Sequence, residues 1–135
     1  MAGVLVADTL QDGAGNSTSM DNAIYGSAKA WVNWTGGTST INASYNVSSV
    51  TRSATGNYTV TFTNALADNK YAAAFATSNA GGQGQVTVAV GLGGPNFNSN
   101  NYTAPTASAC QFLMGYGPSS AAEDPTGFCS AIFIR

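Results

Sequence analysis

The sequence predicts an all-β fold, an antiparallel sandwich of about seven strands that is jelly-roll-like or Greek key, preceded by an extended N-terminal arm. Three observations carry this. No segment shows a helical stripe of apolar residues. The polar positions are mostly Gly, Ser, Thr and Asn, which disfavour helix and suit turns and strand surfaces. Short segments alternating apolar and polar residues recur between turn signals. The chain of 135 residues is 44% apolar and only 7% charged. That length suits one domain with one core.

The strands follow in order. Ser27 to Trp34 (SAKAWVNW), Thr40 to Thr51 (TINASYNVSSVT) and Asn57 to Asn64 (NYTVTFTN) are the first three. In the last, Tyr58, Val60 and Phe62 share one face and Thr59, Thr61 and Thr63 the other. Thr55-Gly56-Asn57 reads as a hairpin turn, and residues 65–70 as a connector with at most one helical turn. Tyr71 to Thr77 (YAAAFAT) is short and soon followed by Gly81 and Gly82, which favours strand over helix. Gln85 to Leu92 alternates with Val86, Val88 and Val90 on one face. Ala107 to Gly115 and Gly127 to Ile134 complete the set, and the stretch between them, with Pro118 and Pro125, reads as a surface loop. Residues 1–26 form the arm and 27–135 the β-domain. Within the arm, residues 8–26 lack apolar periodicity and are expected to be extended unless a neighbour orders them.

Composition excludes several function classes. Four basic residues against six acidic ones leave a net charge of -2, a poor basis for binding nucleic acid. No apolar run is long enough for membrane insertion, and the first residues lack the basic region of a signal peptide, so synthesis in a cytosol without export is expected. The chain has no His, which removes the commonest general base and metal ligand. Glu123-Asp124 is the one adjacent acidic pair and reads as a solvated loop rather than the two facing carboxyls of a glycosidase. Asp12-Gly13-Ala14-Gly15-Asn16 resembles a calcium loop faintly, without its terminal bidentate acid; no metal and no cofactor are assigned. The glycine-rich stretches 81–84 and 91–94 lie between strands, where tight turns explain them better than a phosphate cradle. Cys110 and Cys129 read as small buried side chains rather than a disulfide. The six Asn-x-Ser/Thr triplets, at Asn16, Asn33, Asn42, Asn46, Asn57 and Asn101, follow from composition.

Ala28-Lys29-Ala30-Trp31-Val32-Asn33-Trp34, Ala43 to Thr51 (ASYNVSSVT) and Thr55 to Thr63 (TGNYTVTFT) together resemble a module of tailed-bacteriophage virion proteins. Its pattern is an A-K-A-W-V-N-F block, a strand ending in S-Y-N-V-S-S-V/I, and G-x-Y-T-V-x-F. Asn64 to Tyr71 is similar to its A-x-x-D-x-x-Y step. About half the chain is covered. The resemblance implies a non-enzymatic structural protein of the virion, a short homotrimeric tail fibre that contacts the host surface. A capsid decoration or head fibre is the alternative, because no long shaft sequence precedes the module.

Candidate contact residues follow from both readings. Val4, Leu5, Val6 and Leu10 in the arm are expected to seat on another virion protein. Trp31 and Trp34 are assigned to subunit contact; their odd spacing places one in the core and one outside. Phe97, Tyr102 and Tyr116, among Asn and Gly in loops, are the candidates for a host receptor or cell-surface glycan. A small polysaccharide-degrading enzyme is the competing function from another class.

Overall fold

The computed structural model describes residues 3, 6–20, 23, 26–78, 86–90, 103–116 and 121–135; for 86–90, 116 and 121 it describes the backbone. Strand dominates, as the sequence predicts. Two strands lie in the arm, β1 (Thr9–Gln11) and β2 (Ser17–Ser19). The domain follows with β3 (Ala28–Thr35), β4 (Thr40–Tyr45), β5 (Val47–Ala54), β6 (Asn57–Phe62), β7 (Ala72–Thr77), β8 (Val86–Val90), β9 (Ala109–Tyr116), β10 (Ala121–Ala122) and β11 (Phe128–Ile134). They form two antiparallel sheets. The first has the order β4-β3-β11-β7; the second runs β9-β6-β5, with β8 and the two-residue β10 also on β9. Gly115 and Tyr116 pair with both β8 and β10, so these two flank opposite edges of β9.

Period-two alternation decides which residues fill the space between the sheets. Ala30, Val32 and Trp34 of β3 point inward, as do Cys129, Ala131 and Phe133 of β11. The second sheet answers with Tyr58, Val60 and Phe62 of β6 and Cys110, Phe112 and Met114 of β9. Their rings meet across the sandwich: Phe62 lies 4.8 Å from Phe133, Phe75 5.0 Å from Phe112, and Trp34 6.2 Å from Tyr58, by ring centroids. Tilted and edge-on contacts of this kind are worth about 0.5–1.5 kcal/mol each beyond burial.

Four details correct the sequence reading. Thr40 to Thr51 is not one strand. Asn46 interrupts it with φ 54°, a left-handed conformation that Asn tolerates better than most residues. There the chain leaves the first sheet for the second. The Asn46 side chain fixes the corner: its Nδ2 donates to the carbonyls of Lys29 and Asn64, both at 3.1 Å, and its Oδ1 accepts from the Asn64 N–H at 2.8 Å. The second detail concerns the arm, which is no featureless extension. β1 and β2 form a hairpin. Asp12 closes its turn by accepting from the backbone N–H of Ala14 and Asn16, each at 2.9 Å, and from the Asn16 amide at 2.8 Å. Among the described residues the hairpin pairs with no strand of the sandwich. Third, the 65–70 connector carries no helical turn.

Fourth, the end of the 115–126 stretch is not a solvated loop. Pro125 is fully buried, and Asp124 reaches back to the β5–β6 hairpin. It holds Arg52 through Nε at 2.9 Å and Nη2 at 2.5 Å, the Gly56 N–H at 2.8 Å and the Tyr58 hydroxyl at 2.8 Å. Tyr58 in turn accepts from the Gly37 N–H at 3.1 Å. Gly56 has φ 66°, and a Cβ there would meet the Met114 carbonyl oxygen at 2.1 Å; only glycine admits this approach. Partial burial opposes the Asp124 charge, but the hydrogen bonds from Arg52, Gly56 and Tyr58 outweigh it and hold the carboxyl below its ordinary value. Burial, helped by the Asp124 hydrogen bond, pushes the Tyr58 phenol up to about 12.

These fastenings carry three expected outcomes. Because the folded pKa of Asp124 is lowered, its contribution is present above the unfolded value of about 3.9 and is lost as pH falls through the folded value. Asp124→Asn should therefore cost about 1–2 kcal/mol at neutral pH, with the gap to the unsubstituted protein closing in strong acid. Tyr58 has the opposite sign: its contribution is complete below about 10 and fades as pH rises toward about 12. Urea unfolding across pH reads both. At the corner, Asn46→Ala should cost about 2–3 kcal/mol, since it loses the side-chain bonds and strains φ. Asn46→Gly should cost less, because it relieves the strain alone; equal costs for the two would show that the backbone conformation is immaterial.

Candidate functional site

The strand pairing that fills the core also sets what the first sheet shows to the outside. Trp34 is wholly buried, whereas Trp31 is 39% exposed. Their odd spacing puts them on opposite faces, as the sequence predicts, but the assignment of Trp34 to subunit contact is corrected. It belongs to the core, packed near Tyr58, Phe75 and Phe112.

Around Trp31 the register builds a continuous surface. Trp31 lies opposite Tyr45 on one side and Ile132 on the other, and Ile132 lies opposite Ala74. Tyr45 and Ile132 are exposed, as is Phe128 at the far end of β11. The next row is polar but self-satisfied. Asn42 Nδ2 donates to Asn33 Oδ1 at 2.9 Å, and Asn33 Nδ2 donates to Ser130 Oγ at 2.8 Å. This ladder ties three strands together without a charge. Beside it, small residues on β7 and large ones on β3 and β11 leave a shallow groove of about 420 Å³, lined by Trp31, Asn33, Ala74, Ala76, Ser130 and Ile132 among others. In the four strands of this sheet the one charged side chain is Lys29, near the start of β3.

The second sheet presents a different exterior. Gln111 and Leu113 of β9, on the side away from the core, are both buried. Gln111 donates to Asn57 Oδ1 at 2.9 Å and accepts from the Thr103 N–H at 2.7 Å, so the segment entering β9 lies over this face. Among the described residues of the β-domain, the large exposed apolar side chains lie on the first sheet. An exposed ring beside aliphatic side chains on a sheet with a single charged side chain can exclude water against a matching apolar surface.

The other candidates fall in varied places. In the arm, Val6 is 90% exposed and Leu10 half-exposed on β1; Val4 and Leu5 lie outside the described residues. So do Phe97, Tyr102 and the glycine-rich stretches 81–84 and 91–94. Tyr116, expected in a loop, is instead the last residue of β9, because its backbone pairs with both β8 and β10; its side chain is outside the description. The same holds for the Val86, Val88 and Val90 side chains of β8.

Chemistry-bearing groups serve the fold. Cys110 and Cys129 are free and buried, one in each sheet; burial pushes both thiols up to about 11, which suppresses the nucleophilic thiolate. Asp68 pairs with Arg135, and Asp124 with Arg52. Among the described residues no three Cys, Asp or Glu side chains gather as a metal-ligand set, and no helix is long and apolar enough to cross a membrane. The sequence analysis missed the Trp31–Tyr45–Ile132 row as a unit. Parity exposes Trp31, but its neighbours come from residues 14 and 101 positions away. Comparison with protein-family models, with curated proteins and with solved structures gave no match for this chain.

Proposed function

We propose that this protein is a non-enzymatic structural component of a bacteriophage virion, a short homotrimeric fibre of the tail whose arm attaches to another virion protein and whose β-domain projects to the host surface. The observation that carries the reading is the outer face of the first sheet, with Trp31 at its centre and Lys29 as the one charged side chain in its four strands. A patch of this kind on a small, nearly uncharged domain is the usual mark of an interface. Its apolar row and self-satisfied Asn–Asn–Ser ladder offer a second copy contact area with little charge to strip of water. The sequence resemblance to tailed-phage modules supplies the virion setting. The arm supports a separate attachment role: it folds on itself as a hairpin, and Val6 beside it presents an apolar side chain to solvent. Glycan or receptor contact is assigned to Phe97 and Tyr102 and to Tyr116 at the end of β9. Three copies of a weak site gain avidity by linkage rather than by stronger contacts.

The test joins mass and location. Sedimentation at micromolar concentration should give a trimer. Trp31→Asp should keep the circular dichroism of the sandwich yet sediment as a monomer, since loss of a central aromatic anchor costs about 2 kcal/mol or more, roughly thirtyfold in affinity, before the buried charge is added. A monomeric unsubstituted protein overturns the reading. Antibody labelling of intact particles should mark the tail; label on the head would instead make it a capsid decoration.

A further inference from the structure

The trimer proposed above leaves open how the copies join, and the two borders of the first sheet bear on this. Among the described residues, β4 pairs only with β3 and β7 only with β11, so each presents a backbone edge with no described partner. Monomeric proteins guard such edges with charge, proline or bulges. Here β7 reads AAAFAT, with no charge, no proline and no bulge, and β4 reads TINASY, with no charge and no proline and with Asn42 as its one irregularity, a bulge against β3. Both strands are six residues long.

Direction adds a second constraint. The four strands alternate, β4 antiparallel to β3, β3 to β11, and β11 to β7. An even count makes the two edges run in opposite directions. If copies are repeated by rotation about an axis along the strands, β7 of one copy therefore meets β4 of the next in antiparallel sense. Ladder bonding can continue across the junction on either side of the Asn42 bulge.

The third observation is which face such a ring would enclose. The second sheet packs on the inner face of the first, so it must stay outside, and the face bearing Trp31, Tyr45 and Ile132 must turn toward the axis. Twelve strands at a spacing of about 4.8 Å close into a ring roughly 18–20 Å across. That width needs large side chains to fill it, and β4, β3 and β11 supply Tyr45, Trp31 and Ile132 in one row, beside the small Ala74 of β7.

We propose that three copies join head to tail through these borders, β7 of one copy pairing with β4 of the next, so that three sheets form a closed ring around Trp31, Tyr45 and Ile132. This rests on the homotrimer reading and specifies its interface. The contact is heterologous and closes, so it leaves no free edge on the first sheet.

Thiol cross-linking tests it. Ala43→Cys or Tyr45→Cys is combined with Ala74→Cys or Ala76→Cys and treated with dibromobimane, which bridges only closely apposed thiols. The native cysteines are buried and serve as a silent background. Within one protomer the two borders are three strand spacings apart, about 14 Å, too far to bridge. At least one double variant should yield covalent trimers on a denaturing gel, and the single variants should yield none. Dimers from a single β7 variant would mean two-fold pairing of β7 with itself and overturn the proposal. Amide hydrogen exchange of the unsubstituted trimer gives a reading independent of the variants: edge amides of β4 and β7 should be protected. A sedimenting trimer with unlinked double variants and fast-exchanging edges overturns the ring and leaves the trimer standing. A lone unsubstituted protomer removes both.

Discussion

The aromatic contacts between the sheets are the constraint on which the rest depends. Phe62 against Phe133 and Trp34 against Tyr58 each join a ring of one sheet to a ring of the other. Once those positions are fixed inward, the two-residue period fixes every outward position as well, because a slip by one residue would reverse both faces. Trp31 is therefore outside for the same reason that Trp34 is inside. The chain supports one packed layer of large side chains between the sheets. Any further large apolar residue on the first sheet must find its cover elsewhere.

Polar side chains do two kinds of work in this low-charge chain. Some secure corners: Asn46 holds the passage from β4 to β5, Asp12 the arm hairpin, and Asp124 the approach to β11. Each satisfies several backbone or side-chain donors at once, which is how a short carboxylate or amide stabilises a turn that regular pairing cannot. Others, such as Asn33, Asn42 and Ser130, run as a ladder across strands and leave the surface hydrogen-bonded but neutral. With 7% charged residues, the charges present are spent mainly on fastening. Arg52 and Arg135 both hold carboxylates and so are not free to guard an edge.

What the sequence made legible follows from locality. The inward set Tyr58, Val60 and Phe62 was readable because alternation is a property of neighbouring residues. The opposition of Trp31 and Trp34 was readable for the same reason, though parity alone does not say which of them is the inner one. The break at Asn46 was not readable, since S-Y-N-V-S-S alternates acceptably through it and the left-handed conformation is selected by partners at Lys29 and Asn64. Asp124 was misjudged on similar grounds: its partner Arg52 is 72 residues away, and nothing near Asp124 announces it. The arm hairpin depends on one aspartate accepting three hydrogen bonds, which a search for apolar periodicity cannot detect. For the candidate site, the sequence gives a single exposed ring, and only strand register gathers Tyr45 and Ile132 beside it.

The two sheets solve the problem of their outer faces differently, and that difference gives the domain its polarity. On the second sheet the chain covers itself: the segment around Thr103 lies on Gln111, and Leu113 is buried beside it. On the first sheet no described segment performs that service, yet the face is richer in exposed aromatic and aliphatic surface. A soluble monomer would gain by placing Lys or Glu there, since charge on an exposed sheet opposes association. The pattern instead leaves Lys29, near the start of β3, as the one charge in the sheet and keeps both border strands neutral, and edge bonding and face burial both favour low charge. A partner that covered the face alone would leave the β4 and β7 borders open, and one that paired a border alone would leave Trp31 wet. An arrangement that meets both needs through one contact requires the smallest departure from this chain's own geometry.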